Sequence, residues 1–281
     1  MIITDVPSFN LTNKPGDVQR LGHLQGLGLT IALSEIAKHS NSLVVVIVPD
    51  FLTAFKLERE LTFFSIPIVH FPDWETLPYD NFSPHQDIIS QRLSALHNLE
   101  KFNRGVLIIP IATLMHRLCP KEYVERTTFL LQSGDALDLT DTRRRLENAG
   151  YQYKSQVMEY GEFTVRGSIL DIYPMGAALP FRIDLFDNEV DSIREFDPET
   201  QRSVEAVTEI RLLPAREYPF TEDAISNFRN KWRDEFSGDP RNCAMYQDVT
   251  VGIKSPGLEY YLPLFFEETA TLFDYLPNNR L

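Results

Sequence analysis

Cysteine is nearly absent: Cys119 and Cys243 are the two present in 281 residues, far apart and outside any C-x-x-C spacing. That excludes a disulfide framework and a zinc ribbon. Histidine is sparse as well, with six in the chain, and His23, His70, His85, His97 and His116 form no H-x-x-x-H pair. Each reads as a structural or solvated side chain. Positive charge is also in short supply, because 27 Lys and Arg stand against 40 Asp and Glu for a formal charge of −13. Phosphate backbones are bound chiefly through clustered Lys and Arg, so free DNA is disfavoured as a partner of this chain alone. A locally basic patch would stand out as a site for another protein's acidic surface. No apolar run reaches the length of a membrane span, and MIITDVPSFN lacks the basic and apolar regions of a signal peptide, which makes the expected location cytoplasmic.

What remains is an ordinary globular composition, 43% hydrophobic and 24% charged, with length for two or three domains around substantial cores. IALSEIAKHS has helical spacing and LVVVIVPD is a β-branched run; FLTAFKLERELTFF, IPIVHF, HQDIISQRLSALHNLEKF and GVLIIP continue the alternation of helix and strand. This order predicts an open α/β sheet. IATLMHRLCP reads as a short helix stopped by Pro120. From about residue 122 the pattern turns β-rich around one helix, DTRRRLENAG, ended by Gly150. FTVRGSILDIYP, PFRIDLFDNEV and DSIREFD follow, with Asp187-Asn188 as a hairpin turn signal, and EIRLLPA closes a small α+β module. A further helix, TEDAISNFRNKWRDEF, leads into aromatic-rich segments, and the stop at NNRL reads as a cut from something longer.

One glycine-rich stretch, GHLQGLGLT, invites comparison with the phosphate loop G-x-x-x-x-G-K-[ST]. With Gly28 as the second glycine, Thr30 fits the hydroxyl slot, but Leu29 occupies the lysine slot and His23 the first glycine slot. The cation that neutralises the phosphates is missing. Asp234-Glu235 lies on an amphipathic helix and Asp50 is followed by Phe51, so neither completes a magnesium site. A relic of a nucleotide-binding fold fits better than an active ATPase.

Two other clusters carry chemistry on paper. FPDWETLPYDNFSPHQD sets Asp73, Glu75, Asp80 and Asp87 beside Trp74, Tyr79 and His85, yet without a nucleophile or metal spacing it reads as a packed surface loop. In PFRIDLFDNEV, strand alternation puts Phe181, Ile183 and Leu185 on one face and Arg182, Asp184 and Phe186 on the other. An exposed Phe beside Arg is what a protein-binding hot spot uses; the pattern is equally that of a solvated face with one stray aromatic.

The strings PDWETLPYDNFSPHQDIISQRL, RGSILDIYPMG, PFRIDLFDNEVDSIREFD and GLEYYLPLFF resemble the amino-terminal part of the bacterial transcription-repair coupling factors, the Mfd family. The likeness covers nearly the whole chain. It implies a fold similar to the excision-repair helicase UvrB: a P-loop-NTPase-like α/β domain with an open parallel sheet, formed by 1–120 and 214–281, and a small α+β domain inserted at 121–213. GLGLT then stands in place of a working GSGKT, making Gly26, Gly28, Leu29 and Thr30 a degenerate nucleotide loop with no cofactor. The long tyrosine-rich hairpin by which UvrB probes damaged DNA would follow LPYD, whereas this chain passes directly into NFSPHQD. The resemblance also implies that the inserted domain binds UvrA, with the family's binding arginines and aromatic falling on Arg166, Arg182 and Phe186, and Arg194 as a further candidate. Contacts to RNA polymerase and DNA, and the ATP-dependent translocase motor, belong to parts of the family protein absent from this sequence. The alternative is a free-standing nucleotide-dependent enzyme with an atypical P-loop.

Overall fold

A computed structural model describes residues 16–78, 80–278 and 280. MIITDVPSFN, Tyr79 and two residues of the closing NNRL lie outside them. In chain order the elements begin α1 (Gly28–His39), β1 (Leu43–Val48), α2 (Phe51–Thr62), β2 (Ile68–His70), α3 (Gln86–Leu99), β3 (Gly105–Pro110), α4 (Ile111–Leu114) and α5 (Lys121–Thr127). A β-rich run follows: β4 (Phe129–Gln132), α6 (Leu139–Asn148), β5 (Gln152–Tyr153), β6 (Glu162–Arg166), β7 (Ile169–Ile172), β8 (Phe181–Phe186), β9 (Glu189–Phe196), β10 (Ser203–Val207) and β11 (Glu209–Leu212). The last helices are α7 (Glu222–Glu235), α8 (Ala244–Thr250) and α9 (Leu272–Tyr275). Packing groups the described residues into two compact units. One takes in the residues up to Asp73, then 98–116 and those from Thr271 onward; the other takes in 74–97 and 117–270.

The first unit is built on a parallel sheet in the order β1-β3-β2. β3 is its middle strand and every residue of GVLIIP is buried, which is why it reads as an unbroken apolar run without alternation. Its first residue has to be glycine: Gly105 has φ +128°, and a Cβ there would fall 2.5 Å from the Pro67 carbonyl oxygen. Ile36 and Ala37 of α1 and Ala54, Leu57 and Leu61 of α2 pack with Val44, Val48, Val106 and Ile108 of the sheet. Burial of each larger side chain contributes about 1.5–3 kcal/mol. Asp50, where LVVVIVPD ends, caps α2 by accepting a hydrogen bond from the Thr53 N–H at 2.8 Å.

The second unit carries a six-stranded sheet in the order β10-β9-β8-β7-β6-β5, parallel at β5–β6 and antiparallel elsewhere, and a separate antiparallel pair of β4 with β11. Asp187-Asn188 does form the β8–β9 turn, with Asp187 at φ 55°. The inner face is dry: Phe163, Leu170, Ile183 and Ile193 are each 1% exposed or less. Elsewhere in this unit, Arg92 donates from Nε to Glu217 Oε1 at 2.7 Å, and Trp74 donates from Nε1 to Glu217 Oε2 at 2.8 Å. The Arg92 guanidinium lies 4.9 Å from the Trp74 ring, so charge, hydrogen bond and aromatic face are matched in one buried cluster.

IATLMHRLCP departs from the expected helix. Helix α4 stops at Leu114, and Leu118 pairs with Ala270 in an extended bridge. Pro120 starts a helix instead of ending one, standing just before α5 where its missing N–H costs no helical bond. Val124 is the buried residue of α5, so KEYVERT shows no apolar stripe by which the sequence could announce it.

Candidate protein-docking site

Strands β6 to β9 place the candidate residues in two cross-strand rows on the outer face of the sheet. Thr164, Asp171, Arg182 and Arg194 are register partners across the four strands, and Arg166, Ile169, Asp184 and Ser192 form the next row. A register shift after Asp184 adds a residue to β9 near the hairpin tip. At that tip Phe186 is 75% exposed, while Phe181, Ile183 and Leu185 of the same strand are buried. The alternation read from the sequence is therefore the one that forms.

The arginines do not share one environment. Arg166 has a side chain 52% exposed and donates from Nη2 to Asp171 Oδ2 at 2.5 Å. Arg194 is 47% exposed, with Nη1 3.7 Å from Asp184 Oδ2. Arg182 differs from the expected solvent-facing side chain, since it is only 19% exposed. It donates from Nε to Asp171 Oδ1 at 2.8 Å and from Nη2 to Oδ2 at 2.9 Å, while Nη1 reaches the Gln201 carbonyl at 3.3 Å. Its guanidinium lies 4.9 Å from the Phe196 ring. The hydrogen bonds to Asp171 raise the Arg182 pKa further above its ordinary range, so its charge is fixed. Asp171, buried to 1% exposure on β7 directly opposite Arg182, holds that arginine by two hydrogen bonds and Arg166 by one. A buried carboxylate needs hydrogen-bonded cations around it.

Asp171 went unnoticed in the sequence. The signal for it was an acidic residue inside the apolar run ILDIY, a position where Asp is rarely buried without a partner.

The glycine-rich loop lies in the other unit. Gly26 has φ 57°, α1 opens at Gly28, and no strand precedes α1 among the described residues. Leu29 is 44% exposed; Thr30 is 1% exposed and its hydroxyl donates to the Glu60 carboxylate of α2. The slot that would serve magnesium thus holds a negative charge's hydrogen bond, and the lysine slot offers no cation. His23 sits at φ 60° on the exposed approach.

The acid-rich loop resolves into structural roles. Asp73 accepts from Thr113 Oγ1 at 2.6 Å, Asp80 accepts from the Leu77 N–H at 2.7 Å, and Trp74 is buried against Glu217. His85 Nδ1 lies 3.4 Å from Asp87 Oδ2, on the surface, while Tyr79 lies outside the described residues. Asp234 and Glu235 are exposed on α7. Among the described residues no group of three or more His, Cys, Asp or Glu is placed to hold a metal, both cysteines are free thiols, and no helix is long and apolar enough to cross a membrane.

Residues 129–218, which contain the whole four-stranded face, match the family described as UvrB interaction domain. Across the chain, identity to the transcription-repair-coupling factor of Haemophilus influenzae is 46% over 276 residues, and to that of Escherichia coli 45% over 277 residues. The chain belongs to the transcription-repair-coupling factor family. The relationship extends to Bacillus subtilis at 28% identity over 279 residues. Each alignment takes in at least 94% of this chain and 24% of the relative, so the chain spans about a quarter of the length of the curated family members it matches.

Proposed function

We propose that this chain is a UvrB-like recruitment module which docks UvrA on the sheet face carrying Arg166, Arg182, Phe186 and Arg194. One observation carries the reading: Phe186 stands 75% exposed at a hairpin tip, on the sheet face that also carries the arginines, while the other large apolar side chains of β8 are buried. An exposed aromatic with Arg neighbours supplies the buried anchor and the charge-assisted contacts of a hot spot. Arg166 and Arg194, about half exposed beside their carboxylate partners, leave cationic N–H groups open to an acidic partner.

The first unit is, in this proposal, a P-loop-NTPase-like domain that has lost its nucleotide site and takes no cofactor. The family's division into 1–120 with 214–281, and an inserted 121–213, belongs to the proposal too; its bounds differ from those of the two packed units, which group 74–97 and 214–270 with the inserted strands. Displacing stalled RNA polymerase, contacting DNA and hydrolysing ATP fall to the remaining three quarters of the full-length protein. The module works in the cytoplasm without membrane contact.

Titrating purified UvrA into the chain by calorimetry at low and high salt tests the proposal. Saturable binding that weakens with salt is expected, because the arginine contacts are screened. Absence of UvrA binding together with magnesium-dependent ATP binding would favour a nucleotide-dependent enzyme instead.

A further inference from the structure

A second site lies away from the arginine face, within the unit of 74–97 and 117–270. It is a cavity of about 630 Å³, with Arg216, Lys254, Glu259, Ser83, Gln86 and Gln152 on its walls. That volume is in the range of small-molecule sites.

Its charges are not satisfied within the protein. Among the described residues neither Arg216 nor Lys254 has a carboxylate within ion-pair distance, and Arg216 Nη1 is buried with no hydrogen-bond partner. Burial and the neighbouring Arg216 charge push the Lys254 pKa down to about 8. Both cations face the cavity, and the Arg216 charge disfavours that of Lys254 by more than Glu147 favours it, so a bound anion would relieve both. Lys254 also rests its ammonium 5.5 Å from the Phe220 ring, which positions it without neutralising it.

The acid on the same wall fits this arrangement. Glu259 is 8% exposed and its Oε2 is buried without a hydrogen-bond partner. Burial raises its pKa, against the lowering effect of hydrogen bonds to its own backbone and to Ser83 and of the Arg216 charge. Glu217, the other acid on the wall, is committed to Arg92 and Trp74.

We propose that this cavity binds a small molecule through a phosphate or carboxylate group held between Arg216 and Lys254. The oxyanion is the shared chemistry; pyrophosphate and citrate represent its two sources.

The test is calorimetric titration of the whole chain with pyrophosphate, with citrate and with an acidic octapeptide of glutamate. Saturable binding of pyrophosphate or citrate is expected, the tighter of the two telling phosphate from carboxylate. Lys254→Met keeps the stem against Phe220 and should weaken that binding about tenfold or more, as loss of a charge-assisted contact does. Arg216→Met should do the same, and thermal unfolding of both variants separates lost binding from lost fold. No saturable heat with either small anion, binding of the peptide alone, or equal binding by wild type and both folded variants would overturn the proposal.

Discussion

Arg182 clasps Asp171 with two parallel hydrogen bonds, Nε to Oδ1 at 2.8 Å and Nη2 to Oδ2 at 2.9 Å, around a carboxylate that is 1% exposed. The residue is therefore part of the fold as well as of the candidate surface. Arg182→Ala leaves Asp171 with Arg166 as its remaining cation, and we expect a stability loss of about 3 kcal/mol, the cost of stranding a buried charge. Urea unfolding at constant slope measures it. A loss below about 0.5 kcal/mol would show that Asp171 is satisfied without Arg182.

The same reasoning applies more strongly to Arg92 and Glu217, whose side chains are 0% and 1% exposed. Arg92→Met is expected to cost at least about 3 kcal/mol, because the Trp74 N–H cannot replace a full positive charge. Arg143 and Glu147, about half exposed on α6, form an ion pair of similar length, 2.9 Å. Arg143→Ala should change stability by under about 1 kcal/mol, since water already screens that pair. Parallel denaturation of the two variants checks the contrast, and equal losses would contradict it.

Restoring the missing cation should not restore nucleotide binding. Leu29→Lys returns the lysine of a phosphate loop, but the Thr30 hydroxyl stays engaged by Glu60, whose carboxylate repels the incoming phosphates. We expect no magnesium-dependent ATP binding by fluorescence titration in Leu29→Lys. Micromolar affinity in that variant would mean that the loop is intact apart from one side chain.

Much of the fold can be read in the sequence because its signals are local. The alternation of Phe181, Ile183 and Leu185 with Arg182, Asp184 and Phe186, the Asp187-Asn188 turn and the buried run GVLIIP all depend on neighbours a few residues away. The role of Arg182 does not. It is set by register across β7 and β8, which brings Asp171 opposite from eleven positions earlier, and no periodicity within one strand reveals a partner in the next. Trp74 and Glu217, separated by 143 positions, are a more extreme case: FPDWETLPYD reads as a surface loop until the acceptor of the indole N–H is located. The loop at Gly28 shows the reverse, since the missing lysine is plain from Leu29 alone while the hydrogen bond from Thr30 to Glu60 is visible only in the fold.

Phe186 gives the most direct test of the docking proposal, because it is 75% exposed and its removal uncovers no core. The decisive measurement is the affinity of Phe186→Ala for UvrA, taken beside its unfolding free energy. The account predicts a binding loss of about 2 kcal/mol, roughly thirtyfold, with stability changed by under about 0.5 kcal/mol. Unchanged affinity in a variant that remains folded would contradict it and place the docking surface elsewhere.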